Sequence, residues 1–386
     1  MKKLLFILLP FLGLNSFAQY GGFGGFGGGE NLSSYTSKKD INYVGDGNTY
    51  HAMDVYYPKE SKDSYPVIIH VYGSAWSSNN GKGNADLGTV GKAAVDAGYI
   101  FVTPNHRSNS DAQWPGQIND IKAVVRYLRG NAQELKVDTS FIAISGFSSG
   151  GHLATMMGTS RNVKEYTVGS TTMDIEGNLG NFTEFSSSVD AVCDWSGPVI
   201  LDKVNCGNAM DLNSFITPLF GKCSASQCPD KYALATAVTY IDPSDPPYII
   251  VHGSADQIVA QCQSEMLYKE LQKGGIECEY IPTGSDHGVN GDKCPDMISF
   301  FNKAREKKAA AATSNDEVKA LGIGVYKTES KIILTENERT SYVLLDITGK
   351  IVGQGVVDDE GINIEYLPYG VYILRLGNGL IYKFFK

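Results

Sequence analysis

The sequence predicts an α/β protein with a mostly parallel central sheet, followed by a small C-terminal all-β sandwich. Two patterns predict it. From Ile41 to about Asn302, short apolar β-rich runs alternate with helical stretches, as in successive βαβ units. Beyond about residue 320, short strand-like runs separated by Gly, Asn and Asp follow one another with no helical period, which indicates a sandwich. Length agrees, because 386 residues exceed one ordinary domain of about 100–200 residues yet suit one domain of about 250 plus a small one. With 42% hydrophobic and 19% charged residues, the chain can bury a substantial core.

In chain order, the first segment expected is a signal peptide over residues 1–18. It consists of Lys2 and Lys3, the apolar run Leu4 to Leu14, and the small-x-small site Ser16-Phe17-Ala18, with the mature chain starting at Gln19. The run is shorter than the roughly 20 residues a membrane span needs, and no Cys lies near the cleavage site to carry a lipid. A Gly-rich leader occupies residues 19–40. Its YGGFGGFGGG tract has too little side chain to offset its ordering entropy.

The large domain, residues 41–308, opens its legible strands with PVIIHVY (Pro66 to Tyr72) and YIFVT (Tyr99 to Thr103), with a helix between them over Gly88 to Ala97. Ile118 to Arg129 reads as a helix with Ile121, Val124, Val125 and Leu128 on one face. Phe141 to Ser145, Val189 to Trp195, Tyr248 to His252 and Glu277 to Ile281 supply later strands. Residues 159–188 and 201–245 lack a clear period and read as insertions covering a site. The charged, Ala-rich stretch 309–320 reads as a linker and 321–386 as the β-sandwich, with strands near Val325, Lys331, Tyr342, Ile351, Val371 and Leu380.

The net charge of −9 gives no basic footprint for nucleic acid or an anionic membrane, so a neutral or weakly charged substrate is expected. All seven Cys lie between Cys193 and Cys294, and an exported chain meets an oxidising compartment, so disulfides are expected there, with at least one thiol left over. Without a Cys-x-x-Cys pair, and with six scattered His, the sequence indicates no metal and no organic cofactor.

The chemistry concentrates at three places. Strand FIAIS runs into Gly146-Phe147-Ser148-Ser149-Gly150, the G-x-S-x-G spacing of a nucleophile elbow, where small residues two before and two after Ser148 allow a sharp strand-to-helix turn. A Ser hydroxyl needs a His to take its proton and a carboxylate to hold that His. Asp256 follows strand YIIVH, and His287 follows strand ECEYI, so both fall at the same sheet edge as Ser148. Asp286 is the rival acid, but adjacent loop residues seldom orient each other's rings. His70, His106, His152 and His252 read as packed histidines. Oxyanion donors are expected from the Ser149 amide and from Ser74 and Ala75 in the loop Gly73-Ser74-Ala75-Trp76. Trp76 and Trp195 are candidate substrate contacts, with core packing as the alternative.

Together, the YGSAW loop, Pro104-Asn105-His106-Arg107, Trp114 to Lys122, GFSSGGH, Asp194-Trp195-Ser196-Gly197-Pro198, HGSADQIV and GSDHG resemble an α/β-hydrolase of the feruloyl and acetyl-xylan esterase type, near the hormone-sensitive-lipase-like esterases. The resemblance covers residues 41 to 302. It implies an α/β-hydrolase fold, ester hydrolysis by Ser148, His287 and Asp256, acetyl or feruloyl groups on xylan as substrate, and a structural role for Arg107 and Asp120. It departs at the oxyanion loop, where relatives usually carry His-Gly-Gly-Gly-Trp.

The C-terminal text, Gly370-Val-Tyr-Ile-Leu-Arg-Leu and Lys383-Phe-Phe-Lys, resembles type IX secretion sorting domains of Bacteroidetes. That implies outer-membrane secretion and sorting machinery as a partner, and a secreted or cell-surface location. A carbohydrate-binding or structural sandwich is the alternative for this domain. For the whole chain the alternatives are a prolyl-oligopeptidase-like peptidase, for which no propeller-sized segment is seen, and a non-catalytic surface carbohydrate-binding protein.

Overall fold

The computed structural model describes residues 32–386 apart from 162, 208, 321–324, 329, 335–339, 358–360 and 378–380. The expected signal peptide and residues 19–31 of the Gly-rich leader lie outside the described residues. The chain divides into two compact units, one reaching Ala304 and the other Arg305–Lys386. The boundary falls inside a helix, Cys294–Ala320, which takes in the stretch read as a linker. Its Ala, Lys and Glu residues are strong helix formers, so the composition that suggested a spacer also sustains helix.

The first unit is built on an eight-stranded sheet. Its strands are β1 (Ser37–Asn42), β2 (Ala52–Tyr56), β3 (Tyr65–Val71), β4 (Ile100–Pro104) and β5 (Val137–Phe147), then, after the separate hairpin β6 (Glu165–Val168) and β7 (Thr171–Asp174), β8 (Ala191–Trp195), β9 (Tyr248–Gly253) and β10 (Cys278–Thr283). Their order is β1-β2-β4-β3-β5-β8-β9-β10. Only β2 runs against its neighbours, pairing antiparallel with β1 and β4. All other pairings are parallel.

Alternation along the strands explains why the sheet is covered on both faces. Val67, Ile69, Ile142, Ile144, Val192 and Ile250 pack into one apolar cluster. Ile68, Phe141, Ala143, Cys193, Ile249 and Val251, their sequence neighbours, pack into another. The helix Gly116–Gly130 buries Ile118, Ile121, Val124, Val125 and Leu128 in the first cluster, as its period predicts. Phe300 and Phe301 of the helix Cys294–Ala320 join the second.

The helix expected over 88–97 begins as a wider π-type turn, Leu87–Gly91, before the α-helical Lys92–Asp96. Two disulfides, Cys206–Cys262 and Cys223–Cys228, lie in the Cys-rich stretch, and Cys193, Cys278 and Cys294 remain thiols.

The second unit contains two antiparallel sheets. One joins Val325–Lys327, Lys331–Leu334 and Ile362–Asn363. The other joins Ile351–Val356, Ser341–Asp346, Val371–Leu376 and Ile381–Phe385. Ile332 and Ile362 of the first share a core with Leu344, Tyr372 and Leu374 of the second, so the unit is a small sandwich.

Candidate active site

Ser148 is the single residue between β5 and the helix Ser149–Thr159, at φ 54° and ψ −122°. That backbone is costly for a residue with a side chain, and it converts strand to helix in one step. The flanking glycines permit the turn. A Cβ on Gly146 would lie 2.0 Å from the Gly150 carbonyl oxygen, and one on Gly150 would lie 2.1 Å from that of Val71. The Ser148 amide donates to the Trp195 carbonyl at 2.8 Å, tying the turn to β8.

Asp256 and His287 follow the adjacent strands β9 and β10. Their loops are joined by backbone bonds from Ser254 N–H to the Thr283 carbonyl (2.7 Å) and from Ala255 N–H to that of Ser285 (3.2 Å). His287 Nδ1 stands 2.7 Å from Asp256 Oδ2. Asp256 Oδ1 accepts the amides of Ile258 (2.8 Å) and Val259 (2.9 Å), which fixes the carboxylate plane. The His287 ring lies 4.8 Å from that of Phe147, the residue preceding Ser148. Burial alone would raise the Asp256 pKa. Hydrogen bonds from His252, His287 and the Ile258 amide outweigh it and hold the carboxyl below the usual carboxylate range. Asp286, the rival acid, is exposed.

His252 has a place at this site that sequence reasoning missed. Its buried Nε2 stands 3.2 Å from Asp256 Oδ2 and 2.9 Å from the Val259 carbonyl, while Nδ1 is 2.7 Å from Ser264 Oγ. One carboxylate oxygen thus faces two imidazoles. The available signal was the spacing, four residues before Asp256 at the end of the same strand.

The oxyanion loop requires a correction. The Ser74 amide donates to Ser149 Oγ at 2.9 Å and is therefore committed to a side chain. Ala75 and Ser149 line the cleft beside Ser148, and their amides are the remaining donor candidates. The rest of that cleft is apolar: Trp76, Pro198, Met210, Leu212, Phe215, Ile258 and Val259. Met210, Leu212 and Phe215 come from segment 201–245, read as a covering insertion. That segment is attached next to Asp256 by the Met210 amide on the Gln257 carbonyl (2.8 Å) and by the Cys206–Cys262 disulfide.

Trp76 lines the cleft, with its Nε1–H donating to His152 Nδ1 at 3.3 Å. Trp195 does not. It is wholly buried in the second core cluster and donates to Ser145 Oγ at 3.0 Å, because strand alternation turns its side chain to the same face as Cys193. Among the other histidines, His70 is held between Ser145 Oγ and Asp86 Oδ2, 3.0 Å from each. His106 stacks on Tyr72. Arg107 makes a forked pair with buried Asp120 (2.6 and 3.0 Å), which anchors the loop after β4 to the helix Gly116–Gly130.

The sheet order, the strained turn at Ser148 and the loops after β9 and β10 define an α/β-hydrolase. Residues 53–271 match the BD-FAE family model, more than half of the chain, and the protein belongs to that family. Among curated relatives, Esterase LipQ of Mycobacterium tuberculosis is 26% identical over 211 residues, covering 54% of this chain and 46% of its own. Probable carboxylic ester hydrolase LipM of the same organism is 26% identical over 245 residues, covering 62% and 52%. The chain thus spans about half the length of these relatives. Among solved structures, a truncated form of a carbohydrate esterase from gut microbiota is 39% identical with a TM-score of 0.68, covering 72% of this chain and 99% of that one. A bifunctional GH43-CE protein of Bacteroides eggerthii is 42% identical with a TM-score of 0.66, covering 70% and 35%.

Proposed function

We propose that this protein is a carboxylic ester hydrolase that removes acyl groups, acetyl or feruloyl, from plant polysaccharide such as xylan by way of an acyl-enzyme. The observation that carries the reading is the 2.7 Å contact of His287 Nδ1 with Asp256, with the His287 ring 4.8 Å from that of Phe147, the residue before a serine held in a strained turn. In this mechanism Ser148 Oγ attacks the ester carbonyl while His287 Nε2 takes its proton. Asp256 stabilises the imidazolium, and the amides of Ala75 and Ser149 receive the oxyanion. The alcohol leaves with the proton from His287, and water repeats the sequence to free the acid. The carbohydrate-esterase neighbours support a sugar-borne ester, and the apolar cleft supports an acyl group as the part it takes.

The same proposal has the chain act outside the cell, exported through residues 1–18 and sorted through its C-terminal sandwich. Its support is the tripartite N-terminal pattern and the GVYILRL and KFFK text.

The test compares wild type and Ser148→Ala on p-nitrophenyl acetate, acetylated xylan, methyl ferulate and a prolyl peptide amide. The expected outcome is ester turnover that falls by about 10⁴-fold or more in the variant, with the amide left intact. Equal rates for the two proteins would defeat the mechanism. Cleavage of the amide in preference to esters would favour a peptidase.

A further inference from the structure

The loop after β3 has an unusual backbone. Ala75 and Trp76 are consecutive non-glycine residues at φ 50° and 55°, in the left-handed region that side chains disfavour. Such a conformation persists only when its surroundings over-determine it. Three contacts do so, and two come from the helix that starts at Ser149. The buried Ser149 Oγ accepts the Ser74 amide at 2.9 Å. One turn on, His152 Nδ1 accepts the Trp76 Nε1–H at 3.3 Å, while its Nε2–H donates to the Ala235 carbonyl at 2.7 Å. The indole nitrogen is a donor only, so this ring is the neutral tautomer protonated on Nε2. Burial, which pushes its pKa down to about 4, agrees. The third contact is the Asn109 amide on the Trp76 carbonyl at 2.8 Å. Gly73 completes the clamp by close approach, since a Cβ there would lie 2.9 Å from both the Phe147 carbonyl oxygen and Ser148 Cβ.

We propose, on the esterase reading above, that Ser149 serves twice: its amide is an oxyanion donor, and its hydroxyl is a positioning group that fixes the Ala75 amide as the second donor by holding Ser74. The hydroxyl touches neither substrate nor reacting atoms. It acts on the transition state through the loop, because a donor displaced by a fraction of an ångström loses the oxyanion more than the ground-state carbonyl. The cost of removing it therefore falls on kcat rather than KM.

Three proteins test this: wild type, Ser149→Ala and Ser149→Thr. Two readouts are used, hydrogen–deuterium exchange over residues 73–77 and steady-state hydrolysis of p-nitrophenyl acetate, with Ser148→Ala as the reference for the esterase reading. Ser149→Ala is expected to speed exchange of that segment and to lower kcat about 10-fold, the worth of one neutral hydrogen bond, with KM within about 2-fold. Ser149→Thr, which keeps the acceptor, is expected to return both readouts most of the way to wild type. If Ser149→Ala does not fold, Ser149→Cys, a weak acceptor of similar size, takes its place with the same expectation.

Unchanged exchange overturns the clamp whatever the activity. Faster exchange with unchanged kcat shows a latch that does not serve the reaction, and overturns the proposal as well. If Ser148→Ala retains wild-type turnover, or wild type has none, the esterase reading itself has failed, and the positioning role fails with it.

Discussion

Asp256 Oδ2 lies 2.7 Å from one imidazole and 3.2 Å from another, and Asp256 Oδ1 is taken by two backbone amides. A carboxylate so surrounded cannot rotate to another partner, which gives His287 a fixed acceptor for Nδ1–H and leaves Nε2 as the nitrogen that the proposed mechanism uses as base. Replacing Asp256 with Asn keeps the shape but offers either the wrong tautomer or no anion to the imidazolium. Asp256→Asn is therefore expected to lower kcat by up to about 10⁴-fold with little change in KM. Asp286→Asn, an exposed change next to the same histidine, is expected to stay near wild type, and steady-state kinetics on p-nitrophenyl acetate separates the two. At this scale the placement of the candidate residues was legible wherever a residue type and a strand end coincide, as at Ser148, Asp256 and His287. It was not legible where the direction of one hydrogen bond decides the role. Ser74 and Ala75 are adjacent small residues in the text, and only the loop's left-handed backbone commits the first to Ser149 Oγ. Trp195 misled for a related reason: a position at the end of a strand does not say which face the side chain takes, and here it is the core.

Among the elements, segment 201–245 supplies three apolar side chains to the cleft, and its own regular structure comes only as short helical pieces such as Asn213–Ile216 and Pro229–Leu234. Burial of Leu212, Ile216, Phe220 and Tyr232 in the first apolar cluster holds it, together with a covalent attachment. The Cys206–Cys262 disulfide joins it to the first residue of the helix Cys262–Lys273, six positions after Asp256, and closes a loop with a sequence separation of 56. On the chain-entropy model a cross-link of that span contributes about 4 kcal/mol by restricting the unfolded chain. Cys206→Ser is expected to lower stability by up to that amount in denaturant or thermal unfolding. It is also expected to weaken catalysis on longer acyl esters before acetate, since the proposed function places the acyl chain against the loosened wall. Cys278→Ser, outside both disulfides, provides the comparison, with a change within about 1 kcal/mol. Pairing of this kind cannot be read from spacing, because seven cysteines within about a hundred residues admit many connectivities. The helix Gly116–Gly130, by contrast, was readable to within two residues, because its apolar positions recur at helical period against a single cluster. Strands β1 and β2 were harder: β1 at the sheet edge is half exposed, and its text carries no continuous apolar run.

For the whole molecule, parallel strands buried on both faces read as near-continuous apolar runs, which is why the central sheet was visible from the text. What the text did not reveal is the charge state that the completed core imposes. Asp194, the next-to-last residue of β8, is wholly buried, with Oδ1 accepting the Gly197 amide at 2.9 Å, and its Oδ2 has no hydrogen-bond partner among the described residues. Burial raises its pKa to about 7, against smaller lowering effects from His252 and the Gly197 amide. Unfolded, the same carboxyl titrates near 3.8. Between those values the native state binds a proton that the unfolded state has lost, so stability falls as pH rises, by about 1.4 kcal/mol per pH unit from this group, and levels off above pH 7. Asp194→Asn keeps an acceptor for the Gly197 amide and cannot ionise. The difference in unfolding free energy between Asp194→Asn and wild type is therefore expected to grow in favour of the variant from pH 4 to 7 and then remain constant. Urea unfolding at four or five pH values measures it, and a difference that stays flat across that window would mean that Asp194 is already ionised in the folded protein.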